Sequence, residues 1–351
     1  MLGLRSGIAL LLLVAASPAI SDGTGGQFAS GVVFHDRNSN GRRDRFEFGI
    51  RGVAVSNGRD IVTTDWRGRY RIPVDDDTIV FVVKPEGWSP PIDANGIPRF
   101  YYIHKPGGSP ADLAYAGVSP TGPLPDRIDF PLHRQREPRS FRVIVFADPQ
   151  PYTFDELNYL DRDIIADVIG TDAAFGITLG DLVGDDLSLF EPLNEAIGKI
   201  GIPWHNVIGN HDLNFDVRSD ADSDETFERV YGPPTYAFSY GKVHFIVLDD
   251  VVYEGARDEE RSVGPYHAGI SEQQLEFIEN DLATVPNDRL VVLAMHIPFE
   301  SPPHAVAERS ALFKILEKRP YTLSLAGHTH YQESRFYGPE AGFNGSQPHH
   351  Q

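Results

Sequence analysis

The apolar positions of this chain recur with two different periods, and the change of period divides it. Between residues 29 and 84, short runs (GVVF, GVAVSNG, DIVTT, GRYRIPV, TIVFVV) are separated by Gly, Asn and Asp. Short β-branched runs bounded by turn formers read as strands, and no segment of helical period interrupts them. Asn57-Gly58 lies between two such runs and predicts a hairpin, because the pair tolerates the positive φ of a tight turn. A small β-sandwich is therefore expected over 29–84. Residues 85–138 are rich in Pro and Gly and predict an irregular extension that becomes a connector. Its aromatics, Trp88, Phe100, Tyr101, Tyr102 and Tyr115, are expected beneath long loops.

From residue 139 to 351 the pattern becomes strand, helix, strand. Apolar runs at 141–146, 175–179, 203–208, 290–295 and 321–326 read as strands, and the first of them as fully buried. Apolar residues at helical spacing mark 154–169, 187–200, 271–282 and 306–318. Ser271 followed by Gln274 is a capping box for the third of these helices. Residues 236–248 predict a hairpin around Tyr240-Gly241-Lys242. YQESRFYG after residue 330 reads as one more strand, and the last residues, His349 and His350 among them, carry no packing signal. Strands alternating with helices predict an α/β fold whose sheets are covered by helices.

The chemistry sits where the strands stop. They end at Asp148-Pro149-Gln150, Gly180-Asp181, Gly209-Asn210-His211-Asp212, His296 and Gly327-His328-Thr329-His330. Ligands in open α/β sheets bind beyond the carboxyl ends of strands, so these carboxylates, amides and imidazoles should meet at one place. They are the donor types that hold divalent cations. The glycines just before them would let backbone approach a crowded ion pair. His205 and His244 fall inside strand patterns and are expected to be structural. Asp249 and Asp250 end the hairpin and are expected to be loop or supporting groups.

Composition narrows the alternatives. The chain has 351 residues, of which 41% are hydrophobic and 23% charged, as in ordinary globular proteins. Its formal net charge of −19 argues against non-specific binding to nucleic acid or anionic membranes. The absence of cysteine excludes disulfides, thiolate zinc sites and thiol nucleophiles. At the N-terminus, Arg5, an apolar stretch from Ile8 to Ala16 and small residues near Ser17-Pro18-Ala19 predict a signal peptide over 1–21. A secreted or periplasmic protein with no membrane span in its mature chain is expected.

Within the β module, DRNSNGRRDRFE places Asp36, Asn38, Asn40, Asp44 and Glu47 on positions one, three, five, nine and twelve of a calcium loop, with Gly41 at the sharp turn. Arg42, Arg43 and Arg45 oppose a cation there. The competing reading is a polar turn held by its own Asn and Asp side chains.

The ordered set Asp148-x-Gln150, Gly180-Asp181, Gly209-Asn210-His211-Asp212, His296 and Gly327-His328-Thr329-His330 resembles the calcineurin-like metallophosphoesterases, over about residues 141–337. The chain resembles in particular the exported bacterial members that carry an N-terminal prealbumin-like (transthyretin-like) β module. The resemblance implies a four-layer α/β/β/α metallophosphoesterase sandwich holding two divalent metal ions. It implies Asp148, Gln150, Asp181 and His330 at one ion, and Asp181, Asn210, His296 and His328 at the other, with Asp181 bridging. His211 and Asp181 take the catalytic roles, with His211 facing the substrate. The implied reaction is hydrolysis of a phosphomonoester or phosphodiester by direct attack of a metal-bridging hydroxide. Most relatives have His where Gln150 stands; an amide oxygen is the harder ligand, so Mn or Fe is favoured over Zn, with Mg also compatible. Some relatives place an acid three residues after the bridging Asp, where this chain has Gly184. Asp185 is the substitute candidate, and Asp212 a further supporting one. Relatives often continue into another β domain, which this chain is expected to lack. The alternative is a non-enzymatic exported surface or binding protein with a relict metal site. Nothing in the sequence fixes the substrate or the oligomeric state.

Overall fold

The computed structural model describes residues 26–255, 265–300 and 308–351. The expected signal peptide lies outside them. Among the described residues no helix is long and apolar enough to cross a membrane.

The N-terminal strands are β1 (Gln27–His35), β2 (Ala54–Ser56), β3 (Ile61–Thr63), β4 (Arg69–Val74), β5 (Thr78–Val82), β6 (Trp88–Ser89), β7 (Tyr101–His104) and β8 (Phe130–Arg134). They form two sheets, ordered β4-β1-β8-β6 and β3-β2-β5-β7. Ala29, Val33, Val55, Ile72, Val80, Val82 and Leu132 fill the space between them. The Asn57-Gly58 turn joins antiparallel β2 and β3, with Gly58 at φ 90°. The Pro- and Gly-rich stretch 85–138 supplies β6, β7 and β8, so it is woven into the sandwich. Sequence pattern missed this because each of these strands is short and borrows its hydrogen bonds from distant residues. Trp88 and Phe100 are buried accordingly.

The second region opens with β9 (Val143–Phe146), followed by helix α1 (Phe154–Leu160), which passes through a π-helical turn into α2 (Ala166–Val168). Thr153 caps α1 by accepting from Glu156 N. Next come β10 (Phe175–Leu179), α3 (Phe190–Gly198), β11 (Trp204–Val207), α4 (Glu225–Tyr231), the hairpin strands β12 (Tyr236–Tyr240) and β13 (Val243–Val247), and a small pair, β14 (Val251–Tyr253) and β15 (Tyr266–Ala268). The chain continues through α5 (Glu272–Thr284), β16 (Leu290–Ala294), α6 (Arg309–Leu316), β17 (Thr322–Leu325), β18 (Phe336–Tyr337) and β19 (His349–His350). The capping box of Ser271 and Gln274 is formed at α5.

One sheet has the order β11-β10-β9 and the other β12-β13-β16-β17-β19-β18. They face one another across an aromatic layer: Phe175 of β10 lies edge-on to Phe238 and Phe245, at 5.4 and 5.2 Å between ring centres. His205 of β11 stacks on Phe238 at 3.9 Å. Burying each such apolar ring contributes about 1.5–3 kcal/mol, which fixes the spacing of the two sheets.

Two expectations fail here. β9 is an edge strand, and Val145 is 41% exposed beside a cleft of about 770 Å³ that also reaches Asp148, Leu325, His330 and Tyr331. Its run of apolar residues reports what the side chains are, not how many neighbours the strand has. His349 is fully buried in β19, its ring nitrogens hydrogen-bonded to the Thr322 and Ser324 hydroxyls. A two-residue strand leaves no periodicity to detect. The strand expected from YQESRFYG shrinks to Phe336–Tyr337 for the same reason.

Candidate metal centre

Five strand ends converge. Asp148 and Gln150 follow β9, Asp181 follows β10, Asn210 and His211 follow β11, His296 follows β16, and His328 and His330 follow β17. Ligand atoms of Asp181, His296 and His328 lie within 4.8 Å of one another, and so do those of Asp148, Asp181 and His330. Asp181 belongs to both groups. His296 Nε2 is 3.2 Å from Asp181 Oδ1 and 3.0 Å from Asn210 Oδ1. His330 Nε2 is 3.7 Å from Asp148 Oδ1. The Gln150 amide reaches Asp181 Oδ2 at 3.5 Å through its nitrogen, and a half-turn of the amide would present its oxygen instead. All seven expected ligand residues are therefore gathered at one place.

The backbone is bent to achieve this. Asp148, Gln150, Asp181, Asp185, His328 and His330 all have φ between 42° and 71°; among the described non-glycine residues only Ser39 shares that conformation. Such conformations cost of order 1–3 kcal/mol each, and they persist only where surrounding structure over-determines them. The glycines supply the space. A Cβ at Gly209 would stand 2.0 Å from Asp181 N, and one at Gly180 would stand 2.4 Å from His296 Nδ1.

The restraints run between loops. Asp148 Oδ1 accepts from His328 N at 2.7 Å, and Asp181 Oδ1 from His211 N at 2.9 Å. Buried Asp212 accepts from Gly209 N, Leu182 N and Val183 N, tying the second loop to the third. Buried Asp250 accepts from His296 N and Ile297 N. His296 Nδ1 donates to Leu179 O at 2.9 Å, which turns Nε2 toward the cluster, as expected of a metal-binding imidazole. Asp185 Oδ1 meets His211 Nδ1 at 2.7 Å, so the acid one residue beyond Gly184 reaches the histidine by adopting φ 70°. Sequence reasoning singled out neither the positive φ angles nor Tyr152, whose ring stands 6.0 Å from that of His211. An aromatic two residues after Gln150 was the available signal.

The acids and imidazoles of the cluster shift one another's proton affinities. Burial works to lower the pKa of His296, but Asp181 and Asp148 outweigh it and push it up to about 10. Burial works to raise that of Asp181, but His296 and His211 hold it below the usual carboxylate range. Burial first, then the neighbouring Asp181 charge, pushes Asp212 up to about 8. Burial opposes protonation of His211, while Asp185 and Asp181 raise its pKa. Two buried carboxylates with several imidazoles and amides fit hard or borderline divalent cations, whose binding would expel those protons.

In the N-terminal loop, Asp36 accepts from Ser39 N and Gly41 N, and Glu47 from Arg37 N and Asp44 N. Asn38 and Asn40 both donate to Asp44 Oδ2. These are the hydrogen bonds of the polar-turn reading, made by the same carboxylates and amides that the calcium-loop reading uses.

Paired sheets with acids and imidazoles gathered at their strand ends define a candidate metal centre. The model of the calcineurin-like phosphoesterase family matches residues 141–332, more than half of the chain, and the chain belongs to that family. A second model, describing the N-terminal region of calcineurin-like phosphoesterases, matches residues 37–117. The chain is thus a phosphoesterase, and the family implies two divalent ions. Among solved structures, a dimetal phosphatase from Danio rerio is similar at 18% identity and a TM-score of 0.41, over 61% of this chain and 87% of that one. A structure of PhoD is similar at 12% identity and a TM-score of 0.38, over 93% of this chain and 76% of that one. No curated protein matches.

Proposed function

We propose that this chain hydrolyses a phosphomonoester or phosphodiester, with Asp148, Gln150, Asp181 and His330 holding one divalent ion and Asp181, Asn210, His296 and His328 the other. The observation that carries this reading is the membership of Asp181 in both ligand groups. When bound, the two ions supply an activated water and neutralise phosphate charge. The remaining work falls to side chains. Asp212 and Asp250 hold the ligand loops, while Asp185 holds the His211 ring through Nδ1. That leaves His211 Nε2 to hydrogen-bond the ester or give a proton to the departing oxygen. The bond from phosphorus to that oxygen breaks as the bond to the water oxygen forms. Gln150 favours Mn or Fe over Zn. We also propose that the segment expected as a signal peptide directs the chain out of the cytoplasm.

The test is turnover of p-nitrophenyl phosphate and its bis-ester with added Mn²⁺, for wild type and Asp181→Asn. Turnover by wild type that is lost in the variant is expected. Equal, negligible turnover in both would refute the enzymatic reading and leave an exported binding protein.

A further inference from the structure

Beside His211 the structure holds an aromatic surface that the phosphoesterase reading does not use. Tyr152 is 49% exposed, so the fold gains little by burying it. Its position is nevertheless tightly set. Gly184 N donates to Pro151 O at 3.0 Å, and Tyr152 N donates to Glu156 Oε2 at 2.6 Å. The ring lies directly on Gly184, where an added Cβ would come within 2.5–2.7 Å of three ring atoms. It stands edge-on to the His211 ring, 6.0 Å away at 77°. Tyr115 approaches the same acidic turn from the N-terminal region. Its carbonyl accepts from Thr226 Oγ1 at 3.1 Å, and its hydroxyl lies near Asp186. Gly184 and Asp185 thus act as a pair: the glycine makes room for the Tyr152 ring, and the acid after it holds His211.

Resting on the phosphoesterase reading, we propose that Tyr152 walls a subsite beside His211 that takes the planar aromatic leaving group of the ester. A flat ring beside the proton donor gives an aryl or nucleobase group a face to pack on, without hydrogen bonds that would demand one identity. A glycerol or alkyl leaving group gains nothing from it. Aromatic pairing contributes about 0.5–1.5 kcal/mol beyond area burial, which converts to about a two- to twelvefold preference.

The experiment measures kcat/KM with Mn²⁺ for phenyl phosphate, adenosine 5′-monophosphate and glycerol phosphate. Wild type is compared with Tyr152→Ala, Tyr152→Phe and Gly184→Ala, the last displacing the ring without removing it. Tyr152→Ala should lose about fivefold on an aromatic ester and less than twofold on glycerol phosphate, with Tyr152→Phe close to wild type, and Gly184→Ala should lose the same preference for the aromatic ester over glycerol phosphate. Loss confined to phenyl phosphate assigns an aryl subsite, and loss confined to the nucleotide assigns a nucleobase subsite. An equal fall on all three substrates, with a shifted pH profile of kcat, would make Tyr152 a positioning residue for His211 and overturn the subsite. No fall on any of them overturns it too. If wild type turns over none of the three, calorimetry decides. Phenylphosphonate should bind wild type more tightly than methylphosphonate, and Tyr152→Ala should erase the difference. Equal binding of the two by wild type overturns the subsite whatever becomes of the catalytic reading.

Discussion

Removing the Asp212 side chain should damage the metal centre more than removing its charge. The carboxylate touches three buried backbone donors: Gly209 N at 2.8 Å, Leu182 N at 3.1 Å and Val183 N at 3.2 Å. The first two share Oδ2, and the third uses Oδ1. Asp212→Ala strands all three in a region without exposed surface. A buried donor left unsatisfied costs about 1–3 kcal/mol, so the sum is roughly 3–9 kcal/mol before water enters the gap. With partial rescue by water, about 3–5 kcal/mol is expected, against a typical stability of about 5–15 kcal/mol. Asp212→Asn keeps one acceptor oxygen for Gly209 and Leu182 and turns its amide nitrogen on Val183 N, costing about 1–3 kcal/mol. Burial and the neighbouring Asp181 charge raise the Asp212 pKa, while its three N–H donors act to lower it. Chemical denaturation and Mn²⁺ titration of the three proteins measure this. The predicted order is wild type, Asn, Ala in both stability and metal affinity. An alanine variant as stable as the asparagine one, and binding Mn²⁺ like wild type, would refute the claim that Asp212 fastens the second ligand loop to the third.

Three further outcomes follow from particular contacts. Asp185→Asn weakens the 2.7 Å contact to His211 and should slow alkyl esters more than nitrophenyl esters, within the roughly 10²–10⁴-fold range of general acid catalysis; equal slowing of both classes would argue against proton donation by His211. Gly209→Ala places a methyl 2.0 Å from Asp181 N, and elemental analysis should find fewer than two ions per chain; two retained ions would disprove the packing argument. Burial, with a smaller contribution from His350, pushes His349 down to about 4, below its ordinary 6.5. The folded state therefore binds the proton less well than the unfolded one. The stability that neutral His349 contributes is complete above pH 6.5 and lost as pH falls toward 4, about 3 kcal/mol if fully developed. Urea unfolding of His349→Gln at pH 7 and 4.5 should show a shallower acid loss than wild type, and parallel losses would sink the assignment.

Most of the ligand set was legible because each ligand follows an apolar run that stops at a glycine or an acid. That local signal is complete in Gly180-Asp181, in Gly209-Asn210-His211 and in Gly327-His328-Thr329-His330, and the α/β order of the elements placed all of them at one edge. His205 and His244 were also readable as structural residues: both are buried, the first stacked on Phe238 and the second paired with Asp281 at 2.6 Å. Other features depend on neighbours far away in the chain. Whether β9 is central or at an edge depends on what pairs with it, and Val143–Phe146 contains no record of that. His349 is buried because β17 lies beside it, and the short strands β6, β7 and β8 form because β8, β5 and β1 respectively offer them hydrogen bonds. The left-handed backbone at Asp148, Asp181, His328 and His330, the reach of Asp185 to His211 and the seating of Tyr152 on Gly184 likewise arise only when five loops compete for one small volume. Sequence alone determined which atoms are available for the chemistry. Tertiary packing decided their angles and partners, because those are set by contacts between residues that no local pattern brings together.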